Sequence, residues 1–311
     1  YGDHRDLHLS LRRQRQMCIR DSSLAKKTPK IPVGIISANH YPVIKSAKEA
    51  YDLNLIDPIF IGNKKEITEE ANKLSWNISA HEILETNSDL DSATKGAELA
   101  RDNKIKVMIK GNLHTDILMR TYLKKEFGLI EGKRLSHIWH MTTNNDSKPL
   151  FITDGALNVS PRIDVKMHIL KNVIEFANKI EIQKPRVAIL SGTEDPIESM
   201  PSSIAAKEVM ERATKENINA YVQGPLAFDN AVSPEAAKIK KITNDVAGKA
   251  DILLVPNLET GNALSKIMVY FMGACAAGFI VGGKVPVVVT SRADNSASRI
   301  ASIAASIIAA Q

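Results

Sequence analysis

The sequence predicts an α/β protein with mainly parallel sheets flanked by helices, arranged as two domains. Three observations carry this. Short apolar segments rich in Val and Ile recur along the body of the chain, as buried strands do. Longer amphipathic segments lie between them, of the length that right-handed crossovers between parallel strands need. The loop-rich stretch TDGALNVSP (153–161) interrupts this alternation and favours two open sheets over one closed barrel.

Taken in order, strands are expected at 32–36 (PVGII), 58–62 (PIFIG), 107–111 (VMIKG), 137–141 (HIWHM), 150–154 (LFITD), 186–191 (RVAILS), 252–256 (ILLVP) and 285–290 (VPVVVT). Each is a short apolar run, and helical patterns alternate with them at 43–51, 64–74, 91–103, 115–126, 161–179, 203–216, 232–240 and 262–276. Isoleucines at 300, 303 and 307 begin a last helical stripe. The expected division is a tail over 1–30, a first domain over 31–155 plus 291–311, and a second over 156–290. The long helix 161–179 would bridge the two, with the ligand in the crevice between them.

Bulk composition removes several classes of function. The chain has 311 residues, 44% of them hydrophobic, which suits a globular protein with a sizeable core. Its two cysteines, Cys18 and Cys275, are too few for a disulfide framework, so a reducing compartment, the cytoplasm, is expected. The net charge of +6 is concentrated at the start: residues 1–30 carry eight Lys/Arg against three Asp, leaving 33 basic against 32 acidic residues elsewhere. A nearly neutral body offers no phosphate-backbone track, and no nucleic-acid partner is expected. The basic tail lacks periodicity, has no apolar stretch that would make it a signal peptide, and resembles translated sequencing-adapter sequence in LRRQRQMCIRDS (11–22). Residues 1 to about 27 are therefore expected to be disordered and non-native, with an upstream domain possible. The longest uncharged run, Ile267–Gly283, has 17 residues and four glycines, short of the roughly 20 apolar residues of a membrane span. A buried helix running into a turn is expected there, and no membrane partner.

Several familiar chemistries fail on the residues. Gly278–Lys284 has phosphate-loop spacing, but Val285 stands where a magnesium-binding hydroxyl belongs and Pro286 opens a strand. His137 and His140, three apart on a strand, point to opposite faces, and no Cys cluster or HExxH accompanies them, so no metal site is expected. There is no GxSxG elbow and no Cys with a partnered His, so covalent catalysis lacks a candidate nucleophile.

Anion binding has better candidates. Strand 285–290 runs into Ser291-Arg292-Ala293-Asp294 just ahead of the last helix, and a guanidinium at that edge is placed to hold an anion. In IKGNLHTDILMR (109–120) a strand ends at Lys110-Gly111, Thr115 can cap the next helix, Asp116 suits its first turn, and Arg120 follows. This is either an ordinary βα loop or a second anion-holding loop. In PNLETGN (256–262) Asn257, Glu259, Thr260 and Asn262 sit at another strand's carboxyl end.

These blocks, together with GPLAFDNAVSPEAAKIKK (224–241) and AAGFIVGGKVPVVVTSRAD (276–294), resemble the phosphate acetyltransferase/phosphate butyryltransferase family over residues 31–311. The likeness leans to the butyryl branch and to the acyltransferase half of fusions with an enoyl-CoA hydratase domain. The resemblance implies a fold like that of isocitrate and isopropylmalate dehydrogenases, with the active site in the interdomain cleft. It also implies a homodimer and reversible transfer of a short acyl group between coenzyme A and phosphate by direct thiolate attack. Coenzyme A is then a substrate, and no cofactor or metal is expected. It makes Ser291, Arg292 and Asp294 the catalytic candidates. Lys110, Gly111, His114, Thr115, Arg120, Asn257, Glu259, Gly261 and Asn262 are the candidates for substrate binding.

One departure matters. Acetyl-type members place an aspartate six residues after the motif arginine as the base for the CoA thiol, and Ser298 stands there in this chain. Asp294 is the nearest carboxylate, but a solvated aspartate titrates near about 4 and a thiol near about 8.5, a poor match for proton transfer. Asp294 as base, Asp294 as a holder of Arg292, and a thiol acidified by Arg292 and the helix amino terminus all stay open. The alternative to an enzyme is a noncatalytic acyl-CoA-sensing domain of the same fold. A metal-dependent hydroxyacid dehydrogenase would need clustered aspartates that the sequence lacks.

Overall fold

A computed structural model describes residue 25 and residues 29–130, 132–143, 148–290 and 294–311. The expectations for the basic tail up to residue 24, and for Ser291 and Arg292, lie outside the described residues. In chain order the elements begin with β1 (Ile31–Ile36), α1 (Tyr41–Asp52), β2 (Ile56–Gly62), α2 (Lys64–Lys73), β3 (Ile83–Glu85), α3 (Asp89–Arg101), β4 (Val107–Lys110) and α4 (Thr115–Tyr122). After a 3-10 turn (Lys125–Phe127) come β5 (Ser136–Thr142), β6 (Leu150–Thr153), α5 (Ile163–Lys179), β7 (Arg186–Leu190), α6 (Pro201–Lys215) and β8 (Tyr221–Leu226). The last are α7 (Phe228–Val232), α8 (Pro234–Ile239), β9 (Ile252–Leu254), α9 (Leu258–Met272), β10 (Cys275–Val281), β11 (Val287–Val288) and α10 (Ser296–Ala309).

Contacts divide the chain into two units, one running to Lys133 and resuming over Ala277–Gln311, the other Arg134–Ala276. The boundaries expected at 155/156 and 290/291 thus fall earlier by this measure. Helix α5 packs on β5, β6, β9 and α6, all within the second unit. The reason is that β5 and β6 form an antiparallel pair, Trp139 opposite Ile152, which binds residues 136–153 to the later strands rather than to the earlier ones.

In the first unit the strand order is β3-β2-β1-β4-β11-β10, parallel except for the β10/β11 pair. Ile35, Ile36, Phe60, Met108, Val287 and Ile303 are buried in its core. In the second unit the order is β5-β6-β9-β7-β8, parallel except for β5/β6, over a core that includes Met141, Ile152, Leu190, Leu226 and Leu253. Mainly parallel sheets flanked by helices are therefore observed.

Sequence reading missed β3, β8 and β10. Residues 267–283 are not a helix running into a turn: Gly273 takes the left-handed conformation (φ 63°) that ends α9, and CAAGFIV then forms the buried strand β10. An apolar run of that length carries no periodicity to separate strand from helix. The helix expected over 232–240 is two short ones, because Ser233 has extended backbone, caps α8 through the Ala236 amide (3.2 Å), and precedes Pro234.

Candidate active site

In the first unit Lys110 and Gly111 lie at the carboxyl end of β4, the strand beside β11. These strands are parallel, with Val287 beside Met108 and Val288 beside Ile109. Gly111 is required there: a Cβ would stand 2.3 Å from the Ser37 carbonyl oxygen and 2.4 Å from that of Ile36. The close approach lets the Gly111 and Asn112 amides donate to Ile36 and Ser37 carbonyls (2.8 Å each), tying the β4–α4 loop to the end of β1. Lys110 is half-buried and lines a small cavity with Thr290, Arg299, Ile109 and Ser46.

Helix α4 starts at Thr115, and its cap lies one residue earlier than expected. His114, exposed and extended, is the N-cap residue without a side-chain capping bond, and Thr115 is already helical. Asp116 lies in the first turn as expected. Arg120 sits in the last turn with 83% of its side chain exposed and Nη2 3.9 Å from Asp116 Oδ2, a surface pair of little energetic weight. The helix is fixed at its last residue, where the buried Tyr122 hydroxyl donates to the Val285 carbonyl (2.7 Å) and accepts from the Val285 amide (3.2 Å). Burial pushes the Tyr122 phenol well above its ordinary range, against the pull of the Val285 bond.

The segment entering α10 is tied at both sides. Asn295 Oδ1 accepts from the Ser298 amide (2.8 Å) as the N-cap, and the buried Arg299 donates from Nε to the Asp294 carbonyl (3.2 Å). Asp294 itself is half-buried. Ser298, at the position of the acetyl-type aspartate, is buried in the helix, and its carbonyl accepts from Ser302 Oγ (2.7 Å).

In the second unit the candidates open α9 beside the end of β9. Asn257 is the N-cap, its Oδ1 accepting from the amide (3.0 Å) and the hydroxyl (2.7 Å) of Thr260. Glu259 is exposed in the first turn, Gly261 is buried, and Asn262 donates to the Gly155 carbonyl at 3.4 Å. Thus the structure brings Lys110, Gly111, His114 and Thr115 into one loop and helix start, with Arg120 at the far end of that helix, and Asn257, Glu259, Gly261 and Asn262 into another.

Beside this second group lies a residue that sequence reading placed only at the end of a strand and the start of a loop-rich stretch. Asp154, buried at the end of β6, accepts from the amides of Ala156 (3.0 Å), Leu157 (2.9 Å) and His137 (3.0 Å) and from Asn158 Nδ2 (2.6 Å). The Asp-x-x-x-Asn spacing was the only signal in the sequence. His137 and His140 diverge as expected: His140 stacks on Phe151 at 4.7 Å, while the His137 ring lies 4.6 Å from Trp139. Burial lowers the His137 imidazole to about 4, with the nearby Asp154 charge opposing the shift. Among the described residues no group of three or more His, Cys, Asp and Glu is placed to hold a metal ion.

Both clusters fall inside residues 80–310, which match the family model for phosphate acetyl/butaryl transferase. The chain belongs to that family. It is similar to the phosphate acetyltransferase of Rhizobium meliloti, with 39% identity over 83% of this chain and 82% of that one. It is 35% identical to the phosphate butyryltransferase of Clostridium beijerinckii over 93% of this chain and 96% of that one. A branched-chain phosphotransacylase from Enterococcus faecalis V583 superposes with a TM-score of 0.80 and 30% identity, covering 90% of this chain and 99% of that chain. At 13% identity, a 4-hydroxythreonine-4-phosphate dehydrogenase from Burkholderia phymatum shares the fold alone, covering 91% of this chain and 99% of that one with a TM-score of 0.55. The family member is an acyltransferase on a dehydrogenase-like fold, and nothing among these relatives favours the noncatalytic sensor. No helix among the described residues is long and apolar enough to cross a membrane.

Proposed function

We propose that this protein transfers a short acyl group, acetyl or butyryl-like, reversibly between coenzyme A and inorganic phosphate. The observation that carries the reading is the family match over residues 80–310, which takes in both candidate loops and the segment leading to α10. In the direction of acyl-CoA formation, the deprotonated CoA sulfur attacks the carbonyl carbon of the acyl phosphate. A C–S bond forms, the C–O bond to the phosphoryl group breaks, and phosphate leaves with the electron pair. The thiol proton passes to solvent or to Asp294. Such a site must align two anionic substrates and stabilise oxyanion charge, work that suits arginines and backbone amides and needs no protein nucleophile.

Arg292 and Ser291 hold the phosphoryl group in this scheme, and Lys110 and Arg120, with Gly111, His114 and Thr115 around them, assist with the second anion. Asn257, Glu259, Gly261 and Asn262 contribute to acyl-CoA binding. Coenzyme A enters as a substrate, and the scheme uses no cofactor or metal. The working form is a homodimer in the cytoplasm. Supporting the dimer, Ile267, Tyr270, Phe271 and Met272 at the end of α9 are 50%, 70%, 86% and 53% exposed, more apolar surface than one helix end keeps in water without a use.

The test is thiol release from acetyl-CoA and butyryl-CoA with and without phosphate. Release that requires phosphate is expected, the ratio of the two rates indicating the preferred acyl chain, and Arg292→Ala is expected to lower kcat by roughly 10²–10³-fold. No phosphate-dependent release from either thioester, or near-normal turnover by Arg292→Ala, would overturn the respective assignment.

A further inference from the structure

Asp154 occupies a place that packing does not explain. A buried carboxylate is costly unless its oxygens are hydrogen-bonded, and this one is bonded four times over, to groups from strand β5 and from its own loop. Asn158, one of its donors, also reaches back to the Leu135 carbonyl (3.0 Å), so residues 154–158 are held in one shape against the sheet.

That loop is the floor on which α9 begins. The Leu258 amide, one of the helix's first unpaired donors, is taken by the Val159 carbonyl (2.9 Å). Asn262 Nδ2 reaches the Gly155 carbonyl. Between these contacts two glycines meet backbone to backbone: a Cβ on Gly261 would lie 2.7 Å from Gly155 Cα, and one on Gly155 would lie 2.8 Å from the Gly261 carbonyl carbon. Three contacts in five residues leave the start of α9 little freedom relative to the loop that Asp154 shapes.

We propose that Asp154 is a positioning residue for acyl-CoA binding, setting through Gly155 and Gly261 the placement of Asn257, Glu259 and Asn262. The inference rests on the reading of Asn257–Asn262 as part of the acyl-CoA site. Because Asn in place of Asp turns one acceptor oxygen into a donor, at least one of the four N–H groups would face another N–H.

The test compares Asp154→Asn, Gly261→Ala and Asn262→Ala, measuring kcat and KM for acyl-CoA and the dissociation constant of free CoA by calorimetry. All three are expected to raise KM and weaken CoA binding about tenfold, with a smaller change in kcat. If Asn262→Ala leaves both constants unchanged, the loop does not bind acyl-CoA and the inference falls with that reading. If Asn262→Ala has the expected effect but Asp154→Asn and Gly261→Ala lower only the thermal midpoint, Asp154 is merely structural and the inference alone is wrong. Should Asp154→Asn not fold, Gly261→Ala decides on the same readouts, since it disturbs the contact with the carboxylate network intact.

Discussion

His137 shows how burial at one residue becomes a property of the whole stability curve. Its imidazole falls from the ordinary 6.5 to about 4 because the folded protein denies the cation its water, more than Asp154 compensates. The unfolded chain therefore binds a proton more readily than the folded one between these values. The stabilisation from this residue is complete above pH 6.5 and is lost as the pH falls toward 4, on the order of 3 kcal/mol in all. Nitrogen chemical shifts of the His137 ring should remain those of the neutral form at pH 5.5, while the urea midpoint drops between pH 7 and pH 5. A ring that titrates near 6.5 would refute the assignment. The sequence marked His137 only as a strand residue, since the groups that bury it come from elsewhere in the chain. Gly111 was legible from its place at the end of a strand; the reason for it, the carbonyls of Ile36 and Ser37, was not.

Elements, in turn, are placed by a few polar ties. Helix α4 is joined to the strand leading toward Ser291-Arg292 by one phenol that serves both the amide and the carbonyl of Val285. Tyr122→Phe keeps the ring and leaves both backbone groups buried without that partner, so a loss of about 1–3 kcal/mol in denaturant unfolding is expected. A loss under a few tenths would mean that water replaces the hydroxyl. Capping explains two helix starts that the sequence reading did not set. Asn257 and Asn295 each bond the amide three residues on, so the helix expected from 262 begins already at Leu258 and the last helix at Ser296, whereas at α4 an uncapped His114 fills the cap position that Thr115 was expected to take. Strand β10 went unread because its neighbours, not its own pattern, make it a strand: it pairs with β11 at Phe279–Val288 and Ile280–Val287.

At the scale of the whole molecule, the apolar end of α9 carries the expectation about assembly. Ile267, Tyr270 and Phe271 fall three and four residues apart, on one stripe of the helix. Phe271→Asp would bury a charge in any interface formed there, so sedimentation should show a dimer for the unaltered chain and a monomer for the variant. A monomeric unaltered chain at micromolar concentration would remove the dimer from the proposal.

The α/β class, the family and eight of the eleven strands were written in local features: strand-length apolar runs, crossover-length helices, and the blocks around Lys110, Asn257 and Arg292. Local features suffice there because periodicity and capping act over three or four residues. What the tertiary structure alone decided is where contacts divide the chain, that residues 275–281 extend rather than coil, and that Asp154 underlies the start of α9. Each depends on partners distant in sequence, Val288 for β10 and Gly261 for the loop after Asp154, and a buried group's chemistry is set by whatever chain is folded against it.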